Sequence, residues 1–298
     1  MKFTCNRDLI QKCIMKAERV TGKNLSLPIL SSVLLITEKN SLIIRATNLD
    51  VGLEFNIPAQ IKEEGRVAIS GALLSNILTN MPDEENISFS VDNNVCKINT
   101  KNKYITLKGF TPDDFPTIPV INENESFTIK SQIFIQCVKS VLLSAAVSDI
   151  KPEISSVYIY QKEKNLFFVS TDSFRLSEKK ITFDGSNIKD GLIIPVKNII
   201  EIIKILEYID ENLLIKYTKN QISFICKSVY ITSRVIQGIY PDYEQIIPKN
   251  NTTEVVVLKQ DLINTLKLST LFSDKFNKIN FSINPKEKKC LINTKNSD

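Results

Sequence analysis

Phe3-Thr4-Cys5-Asn6-Arg7-Asp8-Leu9-Ile10-Gln11-Lys12-Cys13 returns, altered but in register, as Phe127-Thr128-Ile129-Lys130-Ser131-Gln132-Ile133-Phe134-Ile135-Gln136-Cys137, 124 positions further along the chain. At the same offset Thr47-Asn48 falls on Thr171-Asp172. A third copy opens at Val255-Val256-Val257-Leu258-Lys259-Gln260-Asp261-Leu262, and its Leu291-Ile292-Asn293-Thr294-Lys295-Asn296-Ser297-Asp298 is similar to Ile43-Ile44-Arg45-Ala46-Thr47-Asn48-Leu49-Asp50. A repeated module constrains architecture more than local propensity does, because every copy must solve the same burial problem. The third copy spans only about 45 residues where the other two span about 125, so a protein of three full copies is expected to continue past Asp298.

Each copy has the order short strand, amphipathic helix, alternating strands. In the first, Ile10, Cys13, Ile14 and Ala17 stand at i, i+3, i+4 and i+7, one apolar face of a helix, with Asp8 as a first-turn acid. Strands are expected at 33–36, 42–46, 51–57 and 66–69, a second helix at 73–80 after Ser70-Gly71, and closing strands at 87–91, 95–99 and 105–110. Asp92-Asn93-Asn94 and Lys101-Asn102 read as hairpin turns between those last strands. The second copy places its second helix at 197–208, after Pro195. Proline-bearing stretches, 112–119 and 240–248, read as extended linkers, similar to each other. The expected fold class is α+β, in repeated modules of two helices packed on antiparallel sheets, with boundaries at 1–118, 119–248 and a partial third module at 249–298.

Composition narrows the function. With 298 residues and 43% hydrophobic content, the chain suits two or three cores. The most apolar stretch, 192–209, is interrupted by Lys197, Glu201, Lys204 and Glu207, so no segment reads as a membrane span. The opening residues show no apolar run of a secretory signal, and a cytoplasmic location is expected. Six scattered cysteines without a C-x-x-C pair read as buried small hydrophobes in a reducing compartment. There is no histidine, which removes the commonest general base and metal ligand, so neither a metal nor a cofactor is expected, and the chain reads as a binder more than a catalyst. The net charge of +5 is compatible with a polyanionic partner but decides little.

Four strings then carry a specific resemblance: Met1-Lys2-Phe3, Leu27-Pro28-Ile29-Leu30, Thr171-Asp172-Ser173-Phe174-Arg175-Leu176 and Tyr240-Pro241-Asp242-Tyr243. In this order, and in register with the repeat, they resemble the bacterial sliding clamps, the beta subunits of the DNA polymerase III holoenzyme. The resemblance implies the DNA clamp fold and a non-catalytic protein that closes head to tail, as a homodimer when full length, around duplex DNA without reading its sequence. Processivity of the replicative polymerase follows from encirclement. It further implies partners that dock by short linear motifs: the polymerase catalytic subunit, the clamp loader and repair polymerases.

A ring that slides needs phosphate attraction without base contacts. Lys12, Lys16 and Arg19 form a stripe opposite the apolar face of the first helix, which taken alone reads as a solvated face. Under the resemblance it becomes a DNA-facing wall, joined by Lys139 beside Gln132 and Gln136, by Lys197 and Lys204, by Lys259 and Lys267, and by Lys23 and Lys151 in loops that approach DNA. Lys204 has Glu201 one turn before it and can pair with it. The implied peptide groove uses Ile154, Thr171, Ser173, Phe174, Arg175, Leu176, Pro241, Gln245 and Ile246. Thr171-Asp172 also reads as a turn device shared with Thr47-Asn48, which leaves Arg175 as the more distinctive residue. Typical members carry Gly and His where this chain has Ser173 and Phe174, and often Arg in place of Gln245. Ring closure would use Ile105 and Leu107 against Leu271 and Phe272 of another subunit, and the chain ending at Asp298 is expected not to form a stable ring.

Rival readings are weaker. A nucleotide or phosphate enzyme would need a glycine-rich phosphate loop or an acidic metal cluster, and the eight glycines form neither G-x-x-x-x-G-K-[ST] nor G-x-G-x-x-G. No helix-turn-helix or finger pattern supports a transcription factor. A repeat scaffold that binds only proteins remains the alternative.

Overall fold

Asn6 ends the opening strand and starts the first helix, its side chain accepting the Leu9 N–H at 3.1 Å and so satisfying an otherwise orphaned first-turn donor. The helix buries Ile10, Cys13, Ile14, Ala17 and Val20, the face marked by sequence spacing. The structure is a computed structural model that describes all residues except 23–25, 82–84, 101–102, 123–124, 149, 186–187, 189–190 and 296–298.

The chain begins β1 (Lys2–Asn6), α1 (Arg7–Val20), β2 (Ser32–Glu38), β3 (Ser41–Thr47), β4 (Val51–Pro58), β5 (Gln60–Glu63), β6 (Gly65–Ser70), α2 (Gly71–Thr79), β7 (Asn86–Asp92), β8 (Val95–Asn99) and β9 (Tyr104–Lys108). It continues with β10 (Ser126–Lys130), α3 (Ser131–Val141), β11 (Ser156–Lys162), β12 (Asn165–Thr171), β13 (Leu176–Thr182), β14 (Leu192–Pro195), α4 (Val196–Leu206), β15 (Asn212–Tyr217), β16 (Gln221–Cys226) and β17 (Val229–Arg234). All of these lie in one compact unit, Met1–Pro241. A separate unit, Asp242–Asp298, holds α5 (Lys259–Thr270) and a hairpin of β18 (Asn280–Asn284) and β19 (Lys289–Asn293).

Within the larger unit the strand orders are β5-β1-β7-β8-β9, β10-β15-β16-β17-β4-β3-β2-β6 and β13-β12-β11-β14. The order β1-β7-β8-β9 in the first half corresponds to β10-β15-β16-β17 in the second, and β4-β3-β2-β6 corresponds to β13-β12-β11-β14. The halves join where β17 pairs antiparallel with β4, Val229 opposite Phe55 and Ile231 opposite Leu53, so one eight-stranded sheet crosses the boundary. Helices cover the sheets: α1 packs on α2, β3 and β4, and α3 on β12 and β13. Arg7 ties the helix pair together, donating to the Leu78 and Met81 carbonyls at 3.0 and 2.7 Å at the C-terminal end of α2, where a cation is favoured.

Three details depart from the sequence reading. β5, Gln-Ile-Lys-Glu, has no apolar alternation to announce it, and it exists because it pairs with β1, where Lys2 meets Glu63 at 2.8 Å. The proline stretches are not wholly extended, since Pro112–Asp114 and Tyr243–Ile246 form 3-10 turns. In the first of these, proline pre-sets the φ angle of the turn. Residues 255–258 form no strand, because no counterpart of β7 or β15 stands among the described residues of their unit to complete a ladder. The Lys101-Asn102 turn lies outside the described residues, whereas Asn93 and Asn94 take the positive φ angles, 46° and 63°, that a tight hairpin between β7 and β8 requires.

Cys5, Cys13, Cys96, Cys137 and Cys226 are buried and unpaired, and burial pushes Cys5 and Cys96 up to about 12, which keeps them as inert thiols. Cys290 corrects the expectation of uniform burial: it is exposed on β19. In the smaller unit, Leu268, Phe276 and Phe281 are also exposed. No helix among the described residues is long and apolar enough to cross a membrane.

The sheet join fixes the space at Gly52, where a Cβ would lie 2.9 Å from both the Ile118 and Thr232 methyl groups. Ile118 and Thr232 are buried and have little room to move aside. Gly52→Val is expected to destabilise the larger unit by about 1–3 kcal/mol, as overpacking of a closed site does, and to lower the thermal midpoint by several degrees in calorimetry.

Candidate functional site

The apolar face of α1 settles where its basic residues go. Lys12, Lys16 and Arg19 emerge beside the C-terminal part of α4, and together with Lys204 they line one cavity of about 940 Å³. The packing of α1 near α4, above the β4–β17 join, therefore gathers four of the ten candidate DNA-facing cations around one opening. Lys12 and Arg19 are exposed, whereas Lys16 is half-buried and donates from Nζ to the Ile205 carbonyl at 2.8 Å.

The other cations are dispersed. Lys139 on α3 pairs with Glu207 at 2.6 Å, and Lys204 pairs with Glu201 at 2.7 Å. Such partly exposed pairs contribute on the order of 0–1 kcal/mol, so exchanging the carboxylate for a phosphate costs little. Gln132 is turned to the Ile209 carbonyl at 3.1 Å. Lys197 opens α4 and is exposed, as is Lys151. The Lys151 carbonyl accepts the Ile154 and Ser155 N–H groups, both at 3.2 Å, in a local turn. Lys23 lies outside the described residues. Lys259 and Lys267 are exposed on α5 of the smaller unit. Among the described residues no group of three His, Cys, Asp or Glu side chains could hold a metal ion.

The groove candidates centre on the turn between β12 and β13. Thr171 Oγ donates to the Arg175 carbonyl at 2.7 Å and accepts the Ser173 N–H at 3.1 Å. Asp172 Oδ1 accepts the Phe174 and Arg175 N–H groups at 2.9 and 2.7 Å. The first half repeats the arrangement: Thr47 Oγ donates to the Val51 carbonyl, and Asn48 Oδ1 accepts the Asp50 and Val51 N–H groups. The Thr-Asx pair is thus the turn device of both halves, with a left-handed residue after it, Leu49 at φ 77° and Ser173 at φ 74°. Arg175 is specific to the second copy, and its Nε and Nη2 both reach Asp172 Oδ2, at 3.0 and 2.9 Å. The Arg175 and Phe174 backbone N–H groups, followed by the Arg175 guanidinium, hold the Asp172 carboxyl below the usual carboxylate range. The turn is therefore fully braced above that range and loosens as pH falls through the lowered value.

This bracing projects Phe174 into solvent at 96% exposure, while Leu176 and Ile154 are half-buried. Ala146 donates to the Ile154 carbonyl at 3.0 Å and Ser144 bonds Ser177 at 2.6 Å, so the segment after α3 runs beside these positions. It carries exposed Leu143, Val147 and Ile150, which no sequence periodicity marked because they stand in a single 3-10 turn and the turns after it. Pro241 follows Tyr240, whose buried ring stacks on Tyr158 at 4.6 Å and 10°. That stacking fixes the end of the larger unit on its four-stranded sheet. In the smaller unit, Gln245 donates to Asp242 at 2.6 Å and Ile246 is exposed.

For closure, β9 pairs among the described residues only with β8 and is an edge strand. Leu107 is buried in the core and Ile105 packs partly against it, which leaves Tyr104, Thr106, Lys108 and the backbone of β9 as the outward features. Leu271 and Phe272, at the end of α5, are exposed.

Ser173 holds a left-handed backbone that glycine adopts without strain. Ser173→Gly is expected to stabilise the larger unit by about 0.5–1 kcal/mol, measured as an upward shift in the denaturation midpoint.

Comparison with known proteins places these features in a family. The beta sliding clamp of Buchnera aphidicola subsp. Acyrthosiphon pisum is 28% identical over 274 residues, covering 90% of this chain and 75% of that protein. The sliding clamp (DNA polymerase III subunit beta) of Pseudomonas aeruginosa bound to griselimycin superposes with a TM-score of 0.90 at 22% identity, covering 98% of this chain and 83% of that one. The corresponding Bartonella birtlesii protein, also bound to griselimycin, gives 0.88 at 24% identity, covering 100% and 85%. The described fold is thus the α+β fold of the sliding clamps. Residues 1–119 match the family model of the DNA polymerase III beta subunit, N-terminal domain, and residues 128–242 match that of its central domain, so the chain belongs to the DNA polymerase III beta subunit family.

Proposed function

We propose that this chain is the subunit of a ring that encircles duplex DNA, slides along it without reading sequence, and confers processivity on the replicative polymerase in the cytoplasm, with no chemistry of its own. One observation carries the reading. The internal join uses a β17 edge and a β4 edge, and the counterparts of those two strands, β9 and β13, remain as edges among the described residues. Unlike edges at the two ends of a unit are what head-to-tail closure requires, since a heterologous contact repeated around an axis closes into a ring. We assign modules to 1–118, 119–248 and 249–298, with Ile105 and Leu107 supporting the β9 edge and Leu271 and Phe272 facing it from another subunit. Lys12, Lys16, Arg19, Lys204, Lys139, Lys151, Lys197 and Lys23 are assigned to the DNA-facing wall, supported by the gathering of the first four around one opening.

Polymerases, the clamp loader and repair polymerases would dock by short peptides on Ile154, Thr171, Ser173, Phe174, Arg175, Leu176, Pro241, Gln245 and Ile246. Solvent-facing Phe174 supports this as an apolar anchor on the larger unit. The two griselimycin-bound relatives support a ligand-accepting surface on this fold. Ion pairing of Lys139 and Lys204 favours the second reading, a scaffold that binds proteins only.

Retention on circular DNA separates the two readings. Loaded onto a nicked circle by its loader, the clamp is expected to stay bound in gel filtration and to be released when the circle is linearised; equal loss from both forms would favour the scaffold. Lys12→Glu with Arg19→Glu is expected to lower the slope of log affinity against log salt by about 2, as removal of two phosphate contacts does. For the groove, Phe174→Ala is expected to weaken a fluorescent peptide from the polymerase catalytic subunit by about tenfold in a polarisation titration, the loss of one apolar anchor.

A further inference from the structure

Lys16 differs from the other candidate cations in its surroundings. Its Nζ is tied to the Ile205 carbonyl at 2.8 Å and stands 5.6 Å from the centre of the Tyr208 ring. The cavity it lines is walled by Phe55 and Ile57 of β4 and by Val229 of β17. Burial is the main influence on the amine and pushes its pKa below the usual lysine range, and neighbouring Lys12 acts in the same direction. Cys13, Cys226 and Glu207 act against it without reversing it. An amine in this position is neutral more often than an exposed lysine, and only the neutral amine is nucleophilic.

The cavity rim is suited to an anion. Lys12 and Arg19 are exposed there, and Lys204 stands with them, paired to Glu201. Among the acids lining the same space, Glu207 is held by Lys139 at 2.6 Å and Glu211 lies 3.9 Å from Lys227, which leaves Asp210 as the remaining acid.

We propose that this cavity is a modification site, in which Lys16 accepts an acyl group from small acyl phosphates held by Lys12 and Arg19. The neutral amine attacks the carbonyl carbon, a C–N bond forms, and the bond between that carbon and the oxygen bridging to phosphorus breaks. Inorganic phosphate leaves with the bonding electrons, and the amine proton goes to solvent. The product amide is neutral, so α1 loses one positive charge, and the apolar wall of Phe55, Ile57 and Val229 receives the acyl chain.

The test uses the whole chain without DNA, so its outcome is separate from that of the clamp reading. The chain is incubated with acetyl phosphate near neutral pH, and acetyl-lysine is mapped over time by mass spectrometry. Lys16 is expected to be acetylated on the order of tenfold faster than exposed Lys62, Lys97 and Lys249, and its rate to level off at lower pH than theirs. Arg19→Gln is expected to slow acetylation of Lys16 by acetyl phosphate several-fold while leaving its acetylation by an uncharged N-hydroxysuccinimide acetate unchanged, since Arg19 is not among the groups that shift the amine. A Lys16 rate equal to or below that of the exposed lysines overturns the proposal. Equal slowing with both reagents, or no slowing with either, overturns the anion-holding role given to the cavity rim.

Discussion

The backbone ladder between β4 and β17 is the interaction on which the larger unit depends. Val51 to Phe55 pair with Val229 to Ser233, partners 174 to 182 positions apart in sequence, turning two short sheets into one of eight strands. Because strand pairing satisfies backbone donors and acceptors whatever the side chains are, such a join can recur between equivalent edges of any copy. Side chains then make it specific: Leu53 and Ile231 are fully buried opposite each other, and Gly52 leaves room for Ile118 and Thr232. The segment between the halves is held there too, as Tyr230 donates to the Pro119 carbonyl at 2.8 Å and accepts the Ile121 N–H at 3.2 Å.

The gathering of Lys12, Lys16, Arg19 and Lys204 around one opening follows from that join. The join brings the start of the chain beside α4, so residues nearly 190 positions apart, Lys16 and Ile205, share a hydrogen bond. One opening then combines exposed cations, which suit a mobile polyanion, with a sheltered amine whose chemistry is different. Surface charge attracts phosphate through solvent, whereas the reactivity of Lys16 comes from partial exclusion of solvent. The peptide-docking turn rests on another economy, in which one Thr-Asx device builds the β3–β4 and β12–β13 turns alike. The second copy adds an arginine brace and an outward aromatic ring. A duplicated turn has in this way acquired a different surface without a change in backbone geometry.

The sequence alone determined the repeat, the two helices per full copy, the face that α1 buries and the Thr-Asx turn. These depend on spacing and local hydrogen bonding, which the order of residues encodes directly. It also placed Lys12, Lys16, Arg19 and Lys204 among ten DNA-facing candidates, although only through resemblance to a family. Tertiary structure decided the rest. β5 exists because β1 offers an edge, and Leu107 faces the core because β9 completes a sheet whose inner side joins the main hydrophobic cluster. Lys16 is a sheltered amine and Lys139 a paired one because of residues more than 60 positions away. Strand partners, burial and ion pairing are set by which distant segments meet, and residue order carries no local signal for that.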